Sequence, residues 1–120
     1  MATRGIYSFY QTKDEFDKGT PNISIYKHWD NYPSAGTQLV LDFLDSKYSK
    51  SINCDEVGVL GSNFLHYLKK IEGCETTIKI ISNSDFERGV GDDAQYYYSH
   101  IIETNQNFWE DSSQTNPVSF

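Results

Sequence analysis

One run of side chains constrains this chain more than any other. Val57, Leu60, Phe64, Leu68 and Ile71 recur at i, i+3, i+7, i+11 and i+14, a single apolar stripe along one helix. Asp55 stands before it as an N-cap, Lys69 and Lys70 fall in the last turns, and Gly73 follows. An acceptor at the start, cations near the end and a glycine beyond it predict a helix over about residues 56–72. A helix with one apolar face needs a surface to cover. In a chain of 120 residues, one domain by size, that surface must come from the same two-layer core.

The rest of the chain supplies a sheet. Arg4 to Tyr10 alternates and is rich in β-formers, as is Ile23 to Asp30, so both read as strands. Between them Gln11 to Asn22 is charged and reads as a long hairpin loop. Pro33 closes the second strand, and Val40, Phe43, Leu44 and Tyr48 fall at helical spacing over about residues 35–48. After the long helix, Thr76 to Ser82 and Gln95 to Glu103 read as strands. Phe108-Trp109 allows a short further edge strand. The expectation is an α+β fold of order ββααββ, with one more strand allowed, an antiparallel sheet and two helices packed on one face. Residues 1–110 form the ligand-binding domain in this reading, and 111–120, rich in Ser, Gln and Asn, a flexible tail.

Cys54 and Cys74 bracket the long helix. An unbroken helix of that length spans ~27 Å, whereas a disulfide needs α-carbons within about 7 Å. Unless Gly58 or Gly61 breaks the helix, the thiols are free, as expected of a cytoplasmic protein. No run approaches the ~18 apolar residues of a membrane span, and the N-terminus has no signal-peptide core. The net charge of −7 argues against a polynucleotide partner, which needs many Lys and Arg contacts to phosphate, but permits a small ligand with one or two phosphates.

Three histidines and two cysteines show no zinc-type spacing, so neither metal nor cofactor is expected. His66 reads as a solvated helix-face residue. Gly89-Val-Gly-Asp-Asp93 lacks the phosphate-loop lysine and carries two aspartates, so it reads as a turn. The loop before it holds Asn83, Phe86 and Arg88, an amide, a ring and a guanidinium suited to a base edge, a stacked base and a phosphate. A solvated hairpin loop is the competing account.

In Ile25-Tyr-Lys-His-Trp-Asp-Asn-Tyr-Pro33, Lys27 and Trp29 share one strand face and Tyr26 and His28 the other. A core-facing lysine is costly. One face is therefore a polar binding surface or an oligomer interface, or Trp29 simply packs under a helix. Nine Tyr, seven Phe and two Trp suit either a tyrosine-rich sheet or a binding surface.

Thr3-Arg-Gly-Ile-Tyr-Ser-Phe9 and Ile25 to Pro33, with Gln95-Tyr-Tyr-Tyr-Ser-His-Ile-Ile102 more loosely, resemble segments of the phage Thoeris anti-defence family. That resemblance implies a non-enzymatic sponge. It would sequester glycocyclic ADP-ribose made by a host TIR enzyme, and in some relatives cyclic oligonucleotides. The family also implies a dimer or higher homo-oligomer in the host cytoplasm. Two other classes compete: an inhibitor that binds a host defence enzyme, and a small hydrolase of the signal. For such a ligand Arg4 and Arg88, with Lys27 behind them, are the phosphate candidates and Phe86 the ring for adenine. Trp29 and Asn83 complete the expected binding set, and no catalytic residue is expected.

Overall fold

The computed structural model describes residues 3–73, 77–82, 94–113 and 116–120. In chain order the elements are β1 (Gly5–Tyr10), α1 (Lys13–Asp17), β2 (Ile23–Lys27), α2 (Pro33–Asp45), a 3-10 turn (Lys47–Ser49) and α3 (Val57–Glu72). Four strands follow: β3 (Ile78–Ile81), β4 (Tyr96–Ile101), β5 (Gln106–Asp111) and β6 (Val118–Ser119). They form a six-stranded sheet of order β3-β2-β1-β4-β5-β6. The α+β class stands.

The sheet is mixed rather than antiparallel. β1 runs antiparallel to β2 but parallel to β4, in the register Gly5 to Tyr96 through Tyr10 to Ile101. The physical reason is chain direction. β3 pairs antiparallel with β2 at one side of the sheet, so it points the same way as β1. The chain then returns to the far side of β1 and lays β4 down in that same direction, which needs a crossover, not a hairpin. Two hairpin-like pairings, β4 with β5 and β5 with β6, complete that side. Val118 and Ser119, within the stretch read as a tail, pair with Trp109 and Phe108, and Phe120 packs on Tyr98 with ring centroids 6.4 Å apart.

The expected hairpin loop between β1 and β2 contains α1. Thr12 and Glu15 form a reciprocal capping box: the Glu15 N–H donates to Thr12 Oγ1 at 3.2 Å, and the Thr12 N–H donates to Glu15 Oε1 at 3.1 Å. This satisfies two otherwise orphaned donors and starts a helix in a stretch without apolar periodicity. Phe16 from α1 stacks on Phe108 at 5.1 Å and meets Tyr10 edge-on.

All six residues of β1 are buried, since both faces of the central strand are covered. On one face α2 and α3 place Phe43 and Phe64 against Tyr7 and Phe9, with Ile25, Val40, Leu60, Leu68 and Tyr98 completing the core. The predicted stripe is right through Leu60, Phe64 and Leu68, all buried, while Ile71 at its end is exposed. Glu56, not Asp55, is the α3 N-cap, its carboxylate accepting from the Gly58 N–H at 3.1 Å. Gly36 lets α2 lie directly on the sheet: a Cβ there would sit 2.1 Å from Tyr98 Cζ. On the opposite face Ser8 and Ser24 bond to each other at 2.9 Å, beside a smaller apolar group of Ile6, Ile81 and Ala94.

Candidate functional site

β2 ends at Lys27, not Asp30, and the segment from His28 to Tyr32 turns the chain into α2. Asn31 holds that turn. Its side chain is fully buried, and its Nδ2 donates to the carbonyls of Thr3 (2.7 Å), Lys27 (2.8 Å) and Trp29 (3.0 Å). Its Oδ1 accepts from the Tyr7 hydroxyl at 2.6 Å, and its own carbonyl accepts from the Tyr98 hydroxyl at 2.5 Å. Gly5 makes room: a Cβ there would lie 2.6 Å from Asn31 Cβ. Asp30 takes a left-handed backbone, φ +60°, which Asp tolerates better than most residues. Burial pushes the Tyr7 and Tyr98 hydroxyls well above the ordinary tyrosine range, so both remain donors to Asn31 at any physiological pH.

Beside this turn lies a cleft of about 430 Å³, lined by Lys27, Asp30, Tyr32, Glu72 and the α2 residues Ser34, Ala35, Gln38, Leu39 and Asp42. Lys27 is 1% exposed. Its Nζ lies 3.3 Å from Glu72 Oε1 and donates to the Trp29 carbonyl, which answers how a lysine can face the core of β2. The pair ties the end of β2 to the last turn of α3. Removing one partner of a buried pair costs about 3–5 kcal/mol; because Glu72 keeps 30% exposure, the lower end applies. Gln38 Nε2 donates to Asp42 Oδ1 at 2.8 Å along the α2 wall. Tyr32, 46% exposed, stands at the start of α2 with its side chain not engaged in capping.

Of the expected site residues that are described, Lys27 lines the cleft, and Arg4 and Trp29 are not in its lining. Trp29 parts from it: off the strand and 45% exposed, its ring meets His28 edge-on at 4.8 Å. The expected shared face is therefore lost, because β2 stops two residues short of Trp29. His28 accepts or donates at Nδ1 with the Tyr26 hydroxyl at 2.8 Å. Arg4 is half-buried, and its carbonyl accepts from the N–H groups of Gln95 (2.9 Å) and Tyr96 (3.4 Å). Asn83, Phe86 and Arg88 lie outside the described residues, as does Cys74; Cys54 is a free thiol.

Sequence reasoning missed Asn31, Asp30, Tyr32, Asp42 and Glu72. Asn31 reads as an ordinary turn residue, and only its place beside Pro33 marks the turn. Glu72 carries a signal in hindsight, as the acid that ends a helix while a lysine ends a strand, but nothing local pairs them. Elsewhere His100 is buried, its Nδ1 2.6 Å from Asn107 Oδ1; burial lowers its pKa, and the bond to Asn107 opposes that in part. Among the described residues no group of three metal-ligating side chains occurs and no helix is long and apolar enough to cross a membrane. No protein-family model, no curated protein and no solved structure matches this chain.

Proposed function

We propose that this chain is a binding protein whose ligand is recognised in the cleft beside Lys27, and that the ligand is a nucleotide signal of the glycocyclic ADP-ribose kind, held without being degraded. In that role the protein is a phage anti-defence sponge acting in the host cytoplasm. One observation carries the reading. The ammonium at the cleft floor is already balanced by Glu72 and the Trp29 carbonyl. A lysine held this way is a donor fixed in place by two partners, which suits holding a ligand in one position. The cleft volume falls within the roughly 300–1,000 Å³ of small-molecule sites. The choice of signal comes from the resemblance of the β1 and β2 segments to the Thoeris anti-defence family.

A sponge must bind tightly and needs no nucleophile. The decisive experiment incubates the protein with the signal, removes free ligand, heat-denatures the complex and chromatographs what is released. Intact signal supports a sponge, altered signal a hydrolase, and no bound signal an inhibitor acting on a host protein. Oligomer formation belongs to the same proposal, supported by Leu41, Ile71 and Ile80, large side chains left exposed. Light scattering at micromolar concentration should return a mass above 13.8 kDa, and the monomer mass would remove this part. Arg4, Trp29, Asn83, Phe86 and Arg88 remain proposed contacts. Phe86→Ala and Arg88→Ala should each weaken the signal's binding roughly 5- to 150-fold, by calorimetric titration.

A further inference from the structure

The charge arrangement of the cleft says which end of a ligand it accepts. Among the described residues three carboxylates, Asp30, Asp42 and Glu72, line it against one ammonium, and that ammonium is committed to Glu72 and to the Trp29 carbonyl. A phosphate entering here would meet two further carboxylates, with no free cation among the described lining residues to offset them. The remaining lining is of another kind. Tyr32 offers an exposed ring, Ala35 and Leu39 a small apolar wall, and Ser34 and Gln38 groups that both donate and accept. A carboxylate accepts hydroxyl hydrogens well, as acidic side chains do from ribose, while an aromatic ring covers the apolar face of a sugar or base.

We infer that the cleft receives the uncharged, hydroxyl-bearing ring of its ligand, a glycosyl group, and turns phosphate away. Asp42 accepts from ring hydroxyls, Tyr32 packs against the ring, and any phosphate stays outside the lining. This inference rests on the reading of the cleft as the ligand site, but not on which signal is bound.

Calorimetric titrations of the whole chain test it with adenosine as an uncharged glycoside, inorganic pyrophosphate as a bare anion and choline as an organic cation. Adenosine should bind, and its affinity should hold between about 50 mM and 500 mM salt, since no ionic contact is made. Asp42→Asn and Tyr32→Ala, both at exposed positions, should each weaken adenosine roughly 10- to 150-fold, the loss of one charge-assisted or stacking contact. Pyrophosphate and choline should neither bind nor displace adenosine. Displacement by pyrophosphate would place phosphate in the cleft and overturn the inference while leaving a nucleotide sponge intact; displacement by choline would make it a cation site and overturn it too. Parent-like affinity for adenosine in both variants, or no adenosine binding at all, overturns it as well. If adenosine binds as described and the glycocyclic signal does not, the inference stands and the sponge reading fails.

Discussion

Replacing Asn31 by alanine should be among the most damaging single changes to this fold, and its size can be worked out bond by bond. The side chain satisfies the Tyr7 hydroxyl and shares two N–H donors among three carbonyls. Removing it leaves the buried Tyr7 hydroxyl without a partner; the Lys27 carbonyl keeps its place in the ladder opposite Gly5, and the Thr3 carbonyl lies at a half-buried residue where water can replace the bond. The stranded hydroxyl costs about 1–3 kcal/mol and each of the two lost amide N–H donations about 0.5–1.5 kcal/mol, so the expected loss is roughly 3–5 kcal/mol, out of a total of about 5–15 kcal/mol for a domain. In a chain this long that is a drop in Tm on the order of 12–20 °C. Urea unfolding followed by tryptophan fluorescence measures it. Tyr7→Phe alone should lose about 1 kcal/mol, and in the double variant the two losses should fall short of adding, because the bond is shared. A loss below about 1 kcal/mol for Asn31→Ala, or strict additivity with Tyr7→Phe, would refute the assignment of the turn to this network.

Gly36→Ala puts a methyl 2.1 Å from Tyr98 Cζ; lifting α2 off the sheet should cost about 1–3 kcal/mol, read as a fall in Tm. Leu68→Ala empties a fully buried position between α3 and the sheet and should lose roughly 2–5 kcal/mol in urea unfolding, and a loss under about 0.5 kcal/mol would mean that Leu68 is not packed as described. His100 is held with its pKa below the ordinary value by burial, so the unfolded chain takes up a proton first. Its contribution to stability is full above about pH 6.5 and is lost as the pH falls from there through the lower folded value. His100→Gln should flatten that part of the stability–pH curve, and an unchanged slope would exclude His100 as its source.

The long helix was legible because its information is local: stripe, cations and terminal glycine all lie within one segment, and burial of Leu60, Phe64 and Leu68 follows from spacing alone. α1 was legible in principle from Thr12 and Glu15 but is too short for apolar periodicity to show it. The direction of β4 was not legible. Tyr96 to Ile101 alternates in the same way whether it pairs parallel or antiparallel, and the choice is set by where β3 leaves the sheet. A lysine facing a core, as Lys27 does, is costly unless a counter-ion meets it, and here one does. Its compensation comes from Glu72, forty-five positions away, where no window along the sequence would look. Trp29 was misplaced for a smaller reason, since β-propensity continued past the point where Asn31 pulls the chain off the sheet.

The parallel pairing of β1 with β4 also bears on how the chain is made. β1 leaves the ribosome first and finds β2 soon after, yet its other edge waits until residues 96–101 have been synthesised. Until then the central strand of the finished sheet is an edge strand, carrying Ile6, Tyr7 and Phe9 beside unpaired backbone groups, the configuration that invites pairing with other chains. Closing it requires joining segments 91 positions apart in sequence, which is slow because the loop-closure entropy must be met before the contacts form. Expression at high rate or high temperature should therefore tax this protein before the finished fold is ever tested, and truncations that remove β4 should aggregate even though the β1–β2 hairpin and both long helices remain encoded.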